Sequence, residues 1–145
     1  MKYTDWLIPE LKTLESKRQF LASAPDRIRE LRQRSTAIRS ARTDATPARG
    51  GSTPYEDAII NNIAEQQKLE ANFRLVSADV KWLEGGLEKL DETERTALVR
   101  FYIHRVPGHV DRLMQELNVE QTQVYRMKDA ALVHLARILF GIVEL

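Results

Sequence analysis

The sequence predicts an all-α fold, with long N-terminal helices forming a hairpin or a coiled coil, followed by a C-terminal helix-turn-helix unit. Three observations predict it. Apolar residues recur at steps of three and four through both halves of the chain. A capping box opens a helix at Asp91, and the segment 113–126, LMQELNVEQTQVYR, has the spacing of two short helices joined by a tight turn. The expected organisation is a helix over 1–39, a flexible linker over 40–54, a long packing or oligomerisation helix over 55–89 and a helix-turn-helix domain over 90–145.

In the first helix Leu7, Leu11, Leu14, Leu21, Ile28 and Leu31 mark one apolar stripe. Seven arginines follow between positions 26 and 51: Arg27, Arg29, Arg32, Arg34, Arg39, Arg42 and Arg49. Against them stand only Asp26, Glu30 and Asp44, which makes this the basic concentration of the chain. It reads either as a solvated charged helix running into a loop or as an arm that grips DNA phosphates. From Ser40 to Pro54 the composition turns to Thr, Ala, Pro, Gly and Ser without apolar anchors after Ile38, as a linker requires.

The second stripe, Leu69, Phe73, Val76, Val80, Leu83, Leu87 and Leu90, is more regular, and Ile59 and Ile63 extend it backwards. Such a seam must be buried, either against the first helix or against a second copy of the chain. Its regularity motivates the expectation of a homodimer, which Val80→Asp would break. Gly85 and Gly86 interrupt this helix at about 1 kcal/mol each relative to Ala. The pair is held by packing, bends as a hinge, or ends the helix.

The next helix is expected over 91–103, with Asp91 as N-cap, Glu94 three residues on, and Leu98, Phe101 and Tyr102 on its buried side. Pro107 and Gly108 break it, and another helix starts near His109. Leu113 and Leu117 close that short helix. Asn118 tolerates the left-handed backbone the turn needs, and Glu120 is a poor cap where Ser, Thr or Asp is usual. Val124, Met127, Ala131, Leu135 and Ile138 then continue one stripe along a long last helix, whose apolar end LFGIVEL belongs to the core or to a second copy.

This arrangement exposes Gln121, Thr122, Gln123, Tyr125 and Arg126 from the first turns of the second helix of the motif. Amides, a hydroxyl and a guanidinium are matched to base edges and phosphates in a DNA major groove. Arg112 and Lys128 lie nearby and are candidates for the same interface with double-stranded DNA. Net charge argues the other way: +1 for the whole chain, and seven Arg or Lys against eight Asp or Glu from Asp91 onward. Affinity from one copy is therefore modest, and a second copy, a polymerase or other basic residues must add to it.

Leu90-Asp91-Glu92-Thr93-Glu94-Arg95, followed by Leu98 and Tyr102 and then by Leu113 to Val124, resembles the C-terminal promoter-reading domain of sigma factors over roughly the last 55 residues. The whole layout is similar to that of the phage-encoded RinA/ArpU-like transcriptional regulators. The resemblance implies a DNA-binding activator of phage late or packaging genes, with base contact carried by Gln121, Thr122, Gln123, Tyr125 and Arg126 and with RNA polymerase as a partner of the N-terminal module.

Other chemistry finds no support in the sequence. There is no cysteine, no metal-ligand spacing among His104, His109 and His134, no phosphate-binding glycine loop and no nucleophile beside a base. An enzyme is not expected, and neither is a cofactor. No apolar run approaches the roughly 20 residues of a membrane span, and the charged N-terminus does not read as a signal peptide, so the expected location is the cytoplasm of a bacterial host. Two rival functions share the same elements. A small terminase subunit, the DNA-packaging adaptor of a phage, joins a DNA-binding helical unit to oligomerising helices, and a protein-only interaction module would use the helix-turn-helix without DNA.

Overall fold

A computed structural model describes residues 2–42 and 54–144. It is all-α, with helices α1 (Tyr3–Arg42), α2 (Pro54–Glu88), α3 (Glu92–Leu98), α4 (His109–Leu117) and α5 (Gln121–Phe140), and a π-helical turn over Val99–Ile103. Most of the expected linker, Arg49 included, lies outside the described residues, as does the side chain of Arg42. Ser40 to Arg42, expected in the linker, continue α1. At the start of α2 Pro54 suits a first helical position, since its missing N–H would have no partner there. No described helix is long and apolar enough to cross a membrane.

α1 runs through both Pro9 and Pro25. Each removes one backbone hydrogen bond, a cost of about 3 kcal/mol in a helix interior. Packing on the opposite side offsets it: both prolines are exposed, while Leu7 and Leu11 beside the first, and Ala24 and Ile28 beside the second, are buried.

The chain divides into two compact units, one formed by Met1–Arg18 with Ala78–Leu145 and the other by Gln19–Ser77. Within the second, α1 and α2 run antiparallel, so the hairpin is the arrangement adopted there. Ion pairs join Arg27 to Glu65 and Arg32 to Glu70, each at 2.8 Å. Asn62, a buried polar residue in the seam, donates from Nδ2 to the Leu31 carbonyl at 3.0 Å and to Ser35 Oγ at 3.2 Å. A buried amide satisfied in only one alignment fixes the register of the two helices. Hydrogen bonds from Gln66 and Arg32, together with the charges of Arg32 and Arg74, hold the Glu70 carboxyl below its usual range.

The unit that carries the helix-turn-helix takes in more chain than the span 90–145. Leu7, Leu11 and Leu14 are fully buried in it, as are Val80, Leu83, Leu87 and Leu90 nearly so. The regular part of the second stripe is therefore covered within a single chain. It asks for no second copy, and the homodimer expected from Val80 loses that motive. Its two chain ends meet: Tyr3 N donates to the Val143 carbonyl at 2.8 Å, and Lys2 pairs with Glu144 in an isolated antiparallel bridge. Phe140 of the apolar tail stacks on Tyr3 with ring centroids 4.3 Å apart and meets Trp82 edge-on at 5.3 Å.

Gly85 and Gly86 end neither α2 nor its packing. A β-carbon on Gly86 would lie 2.6 Å from Leu139 Cδ2 and 3.1 Å from Leu135 Cδ1, whereas one on Gly85 meets nothing within 4 Å. Gly86 thus lets α2 approach α5, and packing accounts for this glycine, whereas nothing in the structure explains Gly85. The helix predicted over 91–103 changes pitch instead of continuing. After Leu98 the wider π turn closes with His104 N on the Val99 carbonyl at 2.7 Å. Phe101 and Ile103 of this turn are both buried.

The two glycines should respond oppositely to substitution. Gly85→Ala should stabilise the protein by about 0.5–1 kcal/mol through helix propensity, and Gly86→Val should destabilise it by about 1–3 kcal/mol through overpacking. Urea unfolding of the two variants measures both; equal effects would reject the close approach.

Candidate nucleic-acid interface

The motif is built on a small apolar cluster. Phe101, Leu113 and Val124 are its buried centre, with Tyr102, Val110, Met114, Leu117 and Val119 packed around them. Each comes from a different part of the unit, so the cluster fixes α4 and α5 against the π turn. Gly108 starts α4 in a left-handed conformation at φ 75°, and the Arg112 N–H returns to its carbonyl at 3.0 Å. Arg100 of the π turn reaches Glu116 of α4 at 2.9 Å.

The turn is made as its residues require. Asn118 sits at φ 54°, ψ 52°, and it is the one non-glycine residue with positive φ among those described. Its N–H and that of Val119 both return to the Met114 carbonyl. Glu120 adopts the extended conformation of an N-cap, yet its side chain makes no cap hydrogen bond. The first amides of α5 are consequently not capped by the Glu120 side chain. A helix start of that kind carries partial positive charge.

Gln121, Thr122, Gln123, Tyr125 and Arg126 are all exposed. The helical repeat puts Thr122 and Arg126 opposite buried Val124, with Gln123 and Tyr125 on the flanks and Gln121 in the first turn. Tyr125 is anchored by its ring, which meets Phe101 edge-on at 5.6 Å. Arg112 is exposed on α4.

Lys128 is not presented with them. Its side chain is 17% exposed, its ammonium lies 5.4 Å from the Phe101 ring centre and 5.9 Å from that of Tyr125, and it pairs with Asp129 at 2.6 Å. Burial opposes its charge, but the hydrogen bond to Asp129 and the electrostatic pull of Tyr102 and Asp129 raise its pKa above the usual lysine value. The lysine expected at the DNA interface is instead half-buried against Phe101 and Tyr125. Asp129, which sequence reasoning passed over, stands on the exposed side, one turn beyond Tyr125 and Arg126. The i+3 and i+4 spacing was the available signal, and Lys128 neutralises it.

The arginines of the N-terminal half are engaged in the fold of the other unit. Arg27 pairs with Glu30 and Glu65, Arg29 with Asp26, Arg32 with Glu70 and Arg34 with Glu30. Hydrogen bonds from Arg27 to Glu65 and then Glu30 raise its pKa. These four belong to a charged, solvated helix. Arg39 is exposed near the end of α1.

Comparison with protein-family models, with curated proteins and with solved structures gives no match.

Two substitutions test the local geometry of the motif. Asn118→Val should cost about 1–2 kcal/mol because a β-branched residue resists the left-handed region, whereas Asn118→Gly should stay within about 1 kcal/mol of the parent. Glu120→Ser supplies the missing cap and should add about 0.5–1 kcal/mol. Chemical denaturation of the three variants checks the order.

Proposed function

We propose that this chain is a sequence-specific DNA-binding transcriptional regulator that lays the N-terminal half of α5 in the major groove of double-stranded DNA. The observation that carries the reading is the exposed set Gln121, Thr122, Gln123, Tyr125 and Arg126 at the head of a helix packed across a left-handed turn on a second helix. These groups offer bidentate and phosphate contacts, and Arg112 adds a cation from α4. The resemblance to sigma-factor promoter-reading domains and to RinA/ArpU-like phage regulators makes an activator of late or packaging genes, working with RNA polymerase, the specific form of the proposal. A bacterial cytoplasm is the setting it requires.

Selection of bound duplexes from a random pool is the decisive experiment, because a recovered motif reports base reading and any half-site symmetry together. Arg126→Ala and Gln121→Ala should each weaken binding to the selected site by about 1–3 kcal/mol while leaving the fold intact, since both side chains are exposed. Unchanged affinity in both variants rejects the assignment of the reading helix. Failure to retain any duplex at low salt assigns the motif to protein contact, and a ring of many copies assigns the chain to DNA packaging.

A further inference from the structure

In the unit formed by Met1–Arg18 and Ala78–Leu145, a groove of about 490 Å³ runs between the start of α1, the last turns of α2 and the end of α5. Its walls are Asp5, Trp6, Pro9 and Glu10 on α1, Asp79 and Trp82 on α2, and Phe140 on α5. Two features of this lining are unusual together. Trp6 and Trp82 are 50% and 43% exposed, and the aromatic rings are in mutual contact: Tyr3 meets Trp6 edge-on at 6.0 Å and stacks on Phe140, which in turn meets Trp82. The rim is acidic. Asp79 stands three residues before Trp82 on the same side of α2, and Asp5 adjoins Trp6. Glu10 adds little charge, because Lys17 pairs with it at 2.6 Å.

The negative faces of indole rings attract cations, and the two rim carboxylates act in the same direction. An anionic ligand such as a nucleic-acid backbone is repelled by Asp5 and Asp79, and a purely apolar ligand leaves those carboxylates unused. Among cations the guanidinium fits best. It is planar, weakly hydrated, stacks on aromatic faces and presents N–H edges to carboxylates, while an ammonium is a compact and strongly hydrated charge.

We propose that this groove docks an arginine side chain carried by an extended basic segment of a partner protein. The inference stands apart from the DNA reading, which uses other residues of α5.

Trp6 and Trp82 are the two tryptophans of the chain, so indole signals report on this groove directly. The full chain is titrated with an eight-residue peptide of alternating glycine and arginine, and with lysine and glutamate versions of it, following tryptophan emission and the two indole N–H resonances. The arginine peptide should shift both resonances saturably, the lysine peptide should bind several-fold more weakly, and the glutamate peptide should leave them unmoved. The double variant Asp5→Asn, Asp79→Asn should weaken the arginine peptide by about tenfold, with Asp79→Asn alone as the check in case the change in the first turn of α1 disturbs the helix. Indole resonances that ignore the arginine peptide, or equal binding by both carboxylate variants and the parent, overturn the proposal. So does light scattering that gives a doubled mass for the parent and a single mass for Asp79→Arg, since the groove then belongs to a second copy of the chain.

Discussion

At Gly86 the backbone of α2 lies so close to α5 that a single added carbon would press on Leu139 and Leu135. The rest of the C-terminal unit depends on this approach. Four residues before it, Trp82 is carried to Phe140, and three residues after it the chain leaves α2 through Lys89 N on the Gly86 carbonyl and Leu90 N on the Leu87 carbonyl. Asp91 can then cap α3, where Glu94 accepts the Asp91 N–H with one oxygen and meets His134 Nδ1 of α5 at 2.7 Å with the other. One small residue thus sets how α5 is held at its distal end, while the Phe101 cluster holds its head. A helix fixed at both ends presents its exposed side chains with little freedom.

What the sequence made legible was local. The capping box at Asp91, the break at Pro107 and Gly108 and the left-handed Asn118 each follow from interactions within four residues, and each is found where expected. The stripes were legible as buried faces, because period alone reveals a face. It does not reveal what covers the face. Leu7, Leu11 and Leu14 belong with the C-terminal unit, and Ile28 and Leu31 of the same stripe with the other. The glycine pair shows the same boundary: propensity marks both positions equally, and only the neighbours on α5 separate Gly86 from Gly85. Of the candidate interface, the exposed set was legible from the positions around Val124. Lys128 was not separable from that set in the sequence, because its reach back onto Phe101 depends on how α5 packs against the π turn, which no period announces.

Asn62 supplies in the hairpin seam an alignment that a pattern of apolar residues does not. The α1–α2 seam of the hairpin unit includes Ile28, Leu31 and half-buried Leu69, Phe73 and Val76, apolar residues whose attraction is non-directional and does not by itself oppose a shift of one helical step. The amide of Asn62 does not tolerate it, since a shift strands a buried donor at a cost of about 1–3 kcal/mol. Around it the arginine pairs are exposed and individually weak. They favour the same alignment without deciding it. The basic character of this segment is accordingly a property of the surface that α1 and α2 share.

Near-neutral charge in the C-terminal unit limits the attraction it can exert on phosphates, and pairing removes several of its charges. Around the head of α5 Lys128 pairs with Asp129 and Arg100 with Glu116, which leaves exposed Arg112 and Arg126 beside exposed Asp111 and Glu120. The acids of the groove, Asp5 and Asp79, gather with Phe140 at the other end of the same helix. Arg126 and Phe140 are separated by fourteen residues of α5, roughly 21 Å at 1.5 Å per residue. That is more than twice the screening length of about 8 Å at physiological ionic strength, so the acidic groove exerts little force on an anion approaching the head of α5. The two ends of α5 are therefore electrostatically independent of each other, and the acids of the groove do not decide what approaches the head of the helix.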